Sequence, residues 1–147
     1  MGRKSRSTYP LAVHVLLFDG DDVLFLQRAG TGYADGQWSV PAGHVELGEN
    51  ASAAAIRECA EEVGVEIAPA HLKLALTQHK RDPIDGDERV DLFFRASDFA
   101  GEPRNLEPHK CAGLKWAAPK DMTAVVGYVR HALDRIEHGE TYAEYGW

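Results

Sequence analysis

Cysteine is scarce in this chain of 147 residues, in which Cys59 and Cys111 are the whole supply. Two cysteines cannot form a disulfide framework, so we expect reduced thiols and a cytoplasmic protein. No apolar run approaches the roughly 20 residues of a membrane span, and residues 1–7 lack the apolar stretch of a signal peptide. Basic residues number 16 against 23 acidic ones, a formal net charge of -7. We therefore expect neither a membrane nor duplex nucleic acid as a partner.

A length of 147 residues suits a single domain of ordinary size. The first eight residues include three basic ones and no core former, so we expect a flexible basic tail over residues 1–8. The domain itself is expected over residues 9–140. Residues 141–147 read TYAEYGW, an aromatic tail that is expected to dock on the domain or on a second subunit. The sequence leaves a monomer and a homodimer equally open.

Apolar stretches bounded by turn-forming residues predict a sheet. Five strands are expected over residues 9–18, 23–26, 72–78, 90–96 and 114–117, with loops over residues 29–37 and 80–89. The second of these loops, KRDPIDGDER, is so charged that we expect it to be exposed. The first strand is too apolar for a sheet with one wet face, so His14 within it is expected to be a core residue.

Helical spacing of apolar residues predicts two helices. They are expected over residues 50–63 and 123–137. Asn50 or Ser52 is expected to cap the start of the first helix, and Gly64 is expected to end it. Strands together with two well-separated helices predict one mixed β-sheet between helical layers, which is an α/β fold in a single domain.

The first predicted helix has one acidic and one apolar side. At about 100° per residue, Glu58, Glu61 and Glu62 share one arc of this helix. The opposite arc, which is expected to face the core, consists of Ile56, Cys59, Ala60 and Val63. The sequence therefore predicts a helix that buries an apolar face and presents an acidic ridge.

The acidic ridge is unfavourable on its own, because like charges three or four residues apart cost roughly 0.2–0.5 kcal/mol per pair. Residues 43–65 contain five glutamates and one arginine, a net charge of -4. A bound divalent cation would replace this repulsion with coordination, and ligands that are all oxygen indicate Mg²⁺ or Mn²⁺ rather than zinc. The alternative is a solvated acidic face with a purely structural role.

The segment over residues 43–65 fits the pattern G-x5-E-x7-R-E-U-x-E-E-x-G-U, where U is aliphatic, and so resembles the Nudix box. The matching residues are Gly43, Glu49, Arg57, Glu58, Glu61, Glu62, Gly64 and Val65. Cys59 departs from the aliphatic residue usual at its position, but a thiol facing the core is itself a small hydrophobe. The resemblance covers 23 residues directly, and the flanking strands and helix also fit the family.

This resemblance implies a Nudix-type α/β/α sandwich and the Mg²⁺-dependent hydrolysis of a nucleoside diphosphate linked to another moiety. It implies that Glu58, Glu61 and Glu62 ligate Mg²⁺, for which Mn²⁺ is a substitute. It also implies that Arg57 orients Glu58 and Glu49 in the catalytic site. Glu58 and Glu61 are both candidates for the general base.

The resemblance also suggests which residues contact the substrate. Arg28 lies where MutT-type members place an arginine for phosphate, and His44 follows Gly43, the glycine that shapes the loop, where they often carry lysine. Tyr33 is a candidate for stacking on the base, and Glu107 lies where relatives place a further acidic residue. For each of these side chains, the alternative to substrate contact is a purely structural role. A second anion clamp is a further hypothesis, built from His79, Lys80 and Arg81.

Among Nudix hydrolases, the sequence is most similar to MutT-type enzymes, which cleave nucleoside triphosphates or their deoxy forms to monophosphate and pyrophosphate. The first alternative is the same chemistry on a nucleotide sugar, ADP-ribose or a dinucleoside polyphosphate. The second alternative is a module that senses a nucleotide without catalysis. Such a module would be expected to have lost ridge carboxylates, whereas all of them are present here.

Overall fold

A computed structural model describes residues 5–147 of the chain. Its eight strands are β1 (Leu11–Asp19), β2 (Asp22–Arg28), β3 (Trp38–Ser39), β4 (Ala42–His44), β5 (Lys73–Arg81), β6 (Glu88–Ala96), β7 (Cys111–Ala117) and β8 (Tyr142–Tyr145). Its two helices are α1 (Ala51–Val63) and α2 (Gly127–Glu137). Short 3-10 turns cover Pro69–His71 and Pro119–Asp121. No helix in this described part is long and apolar enough to cross a membrane.

The strands form one mixed sheet in the order β3-β2-β1-β6-β5-β8, with β4 also paired to β1 and β7 to β2. The pairs β1–β6 and β5–β8 are parallel, and the other strand pairs are antiparallel. Helix α1 covers one face of the sheet and α2 covers the other. This arrangement confirms the predicted mixed sheet between two helical layers.

Strand β1 is buried on both faces, as its apolar sequence predicted. Val13, Val15 and Leu17 belong to the core under α1, whereas Leu16 belongs to the core under α2. His14 is also buried, and its Nε2 lies 3.0 Å from Asp91 Oδ1. A strand whose alternate side chains enter two cores is the pattern expected of a central strand covered on both sides.

Helix α1 begins and ends close to the positions that its sequence predicted. The Asn50 side chain accepts a hydrogen bond of 2.8 Å from the backbone N–H of Ala53, and Gly64 ends the helix in the left-handed region at φ 72°. The prediction that Ala60 faces the core was wrong, because Ala60 is exposed and Ala55 is buried in its place. The buried stripe of α1 is Ala54, Ala55, Cys59 and Val63.

Helix α2 begins at Gly127, four residues later than predicted. Ala124 has a positive φ of 54°, which a right-handed helix does not accommodate. Its carbonyl oxygen accepts a hydrogen bond from the backbone N–H of Trp38, and the N–H of Val126 donates to the Trp38 carbonyl. The backbone of this segment therefore pairs with β3 instead of joining the helix.

The charged segment over residues 80–89 was wrongly predicted to be an exposed loop. Strand β5 continues to Arg81 and β6 starts at Glu88, so the turn between them is shorter. Lys80 is only 6% exposed and Asp82 only 5% exposed. The error arose because side chains alternate between the two faces of a strand. Gln78 and Lys80 therefore lie on the same face as Leu76, which α2 covers.

The structure describes part of the predicted basic tail and all of the predicted aromatic tail. Residues 1–4 of the predicted basic tail lie outside the described residues, and residues 5–8 are exposed and form no strand or helix. The aromatic tail docks on its own chain, because β8 pairs with β5 and the indole N–H of Trp147 donates to the His79 carbonyl at 3.1 Å. Tyr142 and Trp147 nevertheless stay more than half exposed, at 54% and 56%.

The N-terminal cap of α1 generates a prediction about stability. Replacing Asn50 with Ala removes the acceptor for the Ala53 N–H and should lower the free energy of unfolding by about 1 kcal/mol. Asn50→Ser keeps an acceptor and should lose much less. Urea denaturation of the three proteins measures both changes, and an equal loss in the two variants would contradict the capping role.

Candidate active site

A cleft of about 520 Å³ lies beside the acidic ridge of α1, the loop around β4, the end of β2 and the segment that leads into β7. Its lining residues are Leu26, Gln27, Arg28, Thr31, Ser39, Val40, Ala42, Gly43, Glu46, Arg57, Glu58, Glu61, Glu62, Glu107, Lys110 and Cys111. Three glutamates of the box, Glu58, Glu61 and Glu62, therefore share one concave surface with two further acidic residues and several basic ones. Glu49 is not among the lining residues. Such a cleft is the expected place for a small-molecule site.

Arg57 is the centre of a hydrogen-bond network that orders the acidic residues. Its Nε and Nη2 donate to the two carboxylate oxygens of Glu49 at 2.8 and 3.0 Å. Its Nη1 donates to Glu58 at 2.9 Å and to Glu61 at 3.3 Å, and Nη2 also reaches the His44 carbonyl at 3.3 Å. The hydrogen bond from Arg57 lowers the pKa of Glu49, and Glu49 in turn raises the pKa of Arg57. One guanidinium thus holds three carboxylates in a fixed arrangement.

Gly43 is the position where the β4 backbone approaches α1 most closely. A Cβ at this position would overlap the carboxyl group of Glu58 and would lie 2.7 Å from its Cγ. The backbone conformation of Gly43 is an ordinary one, so the requirement for glycine comes from this contact alone. The absence of a side chain lets the Glu58 carboxylate lie against the loop and face the cleft.

Glu62 is the most strongly perturbed acid of the cleft. Its Oε2 accepts a hydrogen bond of 2.9 Å from the backbone N–H of Ala42. Burial, with the nearby charges of Glu58 and Glu107, raises the pKa of Glu62 to about 8. Burial also raises the pKa of Glu58, against the opposing effect of Arg57. A negative charge on Glu62 is therefore costly in the protein alone and requires a nearby cation.

The carboxylates of the cleft suit a hard divalent cation. Within residues 5–147, no three His, Cys, Asp or Glu side chains already form a complete metal-ligand group. Mg²⁺ does not require one, because it is usually bound by one or two carboxylates together with water and substrate phosphates. Glu58 and Glu62 offer two partly buried carboxylates, and Glu61 and Glu107 line the same cleft. The donor atoms are all oxygen, so the site fits Mg²⁺ or Mn²⁺.

The structure brings some predicted substrate-binding residues to the cleft and leaves others outside it. Arg28 and Glu107 line the cleft together with Gly43. His44 is exposed and is not among the lining residues, although its backbone carbonyl contacts the Arg57 network. Tyr33 lies outside the cleft and lines a smaller cavity next to it.

Arg28 already has partners inside the protein. Its Nε donates to the Tyr33 carbonyl at 2.8 Å, and its Nη2 donates to Thr31 Oγ1 at 3.0 Å. Its guanidinium carbon also lies 5.4 Å from the centre of the Tyr33 ring. These contacts fix the glycine-rich loop against the end of β2, and Nη1 remains to face a ligand.

The hypothesis of an anion clamp on β5 does not describe the arrangement in the structure. His79 lies between the rings of Tyr9 and Trp147, at centroid distances of 5.0 and 4.7 Å, and Arg81 stacks on Trp147. Lys80 instead contacts the ring of Tyr128, which is a residue of α2. Successive strand residues point to opposite faces, so these three side chains do not converge.

Sequence reasoning missed Lys110, which lines the cleft and has its Nζ 4.0 Å from Glu107 Oε2. Its position three residues after Glu107 was the available signal, because a turn brings such a pair to the same side. Arg89 and Tyr128 around the smaller cavity were also missed, and Lys80 was assigned to the anion clamp instead of to this cavity. They come together only through the pairing of β5 with β6 and the packing of α2.

The comparisons with known proteins agree with this geometry. A family model described as NUDIX domain matches residues 8–144, so the chain belongs to the Nudix family. A Bacillus subtilis protein named "Putative 8-oxo-dGTP diphosphatase" is 29% identical over 105 residues, which are 71% of this chain and 63% of that protein. The chain thus spans just under two thirds of this relative's length. The "8-oxo-dGTP diphosphatase" of Escherichia coli is 29% identical over 98 residues, covering 66% of this chain and 72% of that one.

Solved structures give the same result. The crystal structure of a MutT NUDIX hydrolase from Burkholderia pseudomallei superimposes with a TM-score of 0.79 at 26% identity, covering 87% of this chain and 98% of the other. A Nudix hydrolase from Nitrosomonas europaea gives 0.77 at 18% identity, covering 92% and 93%. The Nudix fold expected from the sequence is confirmed, and the chain belongs to a family in which its relatives are of the MutT type. Hydrolases of this family generally need a divalent metal.

The contact at Gly43 generates a prediction about activity. Gly43→Ala forces Glu58 out of its position and should lower the turnover of a nucleoside triphosphate by about 100-fold, since catalysis tolerates little misplacement. Gly113→Ala is the matched control, because Gly113 also has an ordinary backbone conformation and a Cβ there meets nothing within 4 Å. Steady-state kinetics compares the two, and a comparable loss in both variants would contradict the steric explanation.

The raised pKa of Glu62 generates a prediction about stability without metal. The pKa of Glu62 is about 8 in the folded protein against 4.5 for an unperturbed glutamate, so the folded state favours the protonated form. Stability should therefore fall as the pH rises from 4.5 to 8. Glu62→Gln remains neutral and keeps an acceptor for Ala42, so its melting temperature in EDTA should exceed that of the wild type increasingly over this range.

The exposed Glu66 supplies the control for this measurement, because Glu66→Gln should show no such divergence. Excess Mg²⁺ should close the gap by raising the melting temperature of the wild type and not that of Glu62→Gln. Calorimetric scans at a series of pH values measure all three proteins. A lower stability of Glu62→Gln at every pH would mean that the carboxylate has a structural role instead.

Proposed function

We propose that the protein is a Mg²⁺-dependent pyrophosphohydrolase that converts a nucleoside triphosphate, or its deoxy form, to the monophosphate and pyrophosphate. The observation that carries this proposal is the Arg57 network, which is anchored on Glu49 and orders Glu58 and Glu61 beside the partly buried Glu62 in one cleft. The names of the relatives from Bacillus subtilis and Escherichia coli support 8-oxo-dGTP as the first substrate to test. In the same proposal the protein acts in the cytoplasm as a monomer or homodimer, and its two buried cysteines are free thiols.

The residues of the cleft have different roles in the proposed reaction. Glu58, Glu61 and Glu62 would hold the metal, and Arg57 keeps Glu58 and Glu61 in place. Bound Mg²⁺ supplies neutralisation of the phosphate charge and lowers the pKa of the attacking water. Lys110 lines the cleft and is free to approach a phosphate oxygen through its ammonium group.

Glu58 and Glu61 remain the two candidates for the base that takes a proton from water. Burial raises the pKa of Glu58, which makes it a stronger base than an exposed glutamate. Glu61 is more exposed and its contact with Arg57 is longer, at 3.3 Å, so it has more freedom to approach the water. Water attacks either the α or the β phosphorus while the base takes its proton, and the bond from that phosphorus to the oxygen bridging the two breaks. The bridging oxygen leaves with pyrophosphate if the α phosphorus is attacked, and with the monophosphate if the β phosphorus is attacked.

A substrate panel in ¹⁸O-labelled water with Mg²⁺ tests the proposal. The panel contains 8-oxo-dGTP, dGTP, dATP, a nucleotide sugar, ADP-ribose and a dinucleoside polyphosphate. We expect the triphosphates to give monophosphate and pyrophosphate, and phosphorus NMR identifies the attacked phosphorus from the labelled product. Glu62→Gln should lose at least about 100-fold in turnover, since a metal ligand is removed, whereas Glu66→Gln should keep it.

Other outcomes favour the alternative functions. If a nucleotide sugar, ADP-ribose or a dinucleoside polyphosphate is turned over faster than the triphosphates, that compound is the substrate instead. Tight nucleotide binding without hydrolysis of any panel member would favour a sensing module. Undiminished turnover in EDTA would contradict the metal-dependent mechanism.

A further inference from the structure

A second cavity of about 210 Å³ lies next to the candidate active site, on the side of the sheet that α2 covers. Its lining residues are Arg28, Tyr33, Lys80, Asp82, Asp85, Asp87, Arg89 and Tyr128. Arg28 lines both this cavity and the cleft that contains the glutamates, so the two spaces are neighbours. A cavity of this size is too small for a whole nucleotide and suits one ring system of it.

Lys80 is the unusual residue of this cavity. It is only 6% exposed, yet no carboxylate of residues 5–147 lies within 4.0 Å of its ammonium group, and no hydrogen bond satisfies it there. Its Nζ lies 4.4 Å from the centre of the Tyr128 ring, a favourable contact that satisfies none of its N–H groups. Burial, with the neighbouring charge of Arg89, lowers the pKa of Lys80. Its Nζ is not among the buried polar atoms without a partner, so the ammonium group reaches the open space of the cavity and can donate to a ligand placed there.

Two charged neighbours of Lys80 in the cavity, Arg89 and Asp82, already have partners. Arg89 donates to Asp91 at 2.6 Å, and Asp91 is also bonded to His14. Asp82 accepts hydrogen bonds from the backbone N–H of Ile84 at 2.8 Å and from the hydroxyl of Tyr33 at 3.2 Å. In the part of the chain that the structure describes, Lys80 therefore keeps its donor capacity for a ligand, as does Nη1 of Arg28.

The charge of the cavity distinguishes among ligands. Asp82, Asp85 and Asp87 line the space together with Lys80, so a phosphate there would meet three carboxylates. A neutral heterocycle with a carbonyl oxygen and a ring N–H suits the mixture, because the oxygen accepts from the ammonium and the N–H donates to a carboxylate. Oxopurines and oxopyrimidines have this amide-like edge, whereas adenine presents an amino group in place of the carbonyl.

We propose that Lys80 is a specificity-determining residue, whose ammonium group donates to a carbonyl oxygen of the substrate's base in this second cavity. The proposal rests on the proposed nucleotide hydrolysis and narrows its substrate class to nucleotides of oxopurines or oxopyrimidines. Tyr33, 40% exposed at the rim and stacked on Arg28, offers an aromatic face to the same base. The phosphates then lie in the neighbouring cleft beside the glutamates.

Substrate pairs that differ in one carbonyl test this proposal. The first pair is dGTP and 2-aminopurine deoxyribonucleoside triphosphate, which lacks the carbonyl at position 6. The second pair is 8-oxo-dGTP and dGTP, which differ at position 8. The wild type should prefer the carbonyl-bearing member of at least one pair in kcat/KM. Lys80→Met should reduce that preference by about 10- to 100-fold, the expected effect of losing one charged hydrogen bond.

Three controls separate recognition of the base from a structural role. Abasic deoxyribose triphosphate has no base, so its turnover should be the same in Lys80→Met and the wild type. Lys80→Arg keeps a donor and should keep part of the preference. Lys73→Met, an exposed position on the same strand, should change neither quantity. If Lys80→Met does not fold, Lys80→Gln removes the charge and keeps a neutral N–H donor, so its preference should fall below that of Lys80→Arg.

Each result has a distinct meaning. An unchanged preference in Lys80→Met, or an equal loss for every substrate including the abasic one, would overturn the role of Lys80 and leave the hydrolase function intact. A wild type without preference in either pair would overturn it too. If the wild type hydrolyses no nucleotide at all, the proposed function fails and this proposal fails with it.

Discussion

The paired hydrogen bonds between Arg57 and Glu49 are the contact on which the arrangement of the candidate active site depends. Four glutamates crowd the region beside one cationic group, and without a fixed geometry their repulsion would spread them into solvent. Arg57 lies on α1 and Glu49 precedes that helix, so the pair also ties the β4–α1 loop to the helix surface. Gly43 completes the constraint by letting the loop backbone approach Glu58.

The two faces of the sheet supply different side chains to the cleft with the glutamates and to the neighbouring cavity around Lys80. The face under α1 is apolar inside and ends in carboxylates at the cleft, where a metal and phosphates fit. The face under α2 includes buried polar residues beside its apolar core, among them Lys80 and Asp91. Burying a charge is costly unless an ion pair or a bound ligand offsets the cost. The position of these charged residues next to the cleft therefore favours a role in binding a ligand. Arg28, at the end of β2, belongs to both spaces.

The sequence predicted the parts of this structure that depend on short-range signals. The bounds of α1 follow from Asn50 and Gly64, each of which acts on its own helix end. The start of α2 was misplaced because Trp38, far away in the sequence, pairs with the segment before it. The glutamates of the cleft were predicted because strict spacing on one helix identifies them. The cavity around Lys80 was not, because it depends on strand register and on which helix covers the strand.

Strand β8 has a consequence for how the chain folds during synthesis. It pairs along the outer side of β5, so β5 has an unpaired edge until residues 142–145 have left the ribosome. An open edge of this kind readily pairs with a strand of another molecule. Chains in which residues 142–145 have not yet docked are therefore prone to associate through the open edge of β5, and Lys73 and Arg81 at its ends provide repulsion against that event.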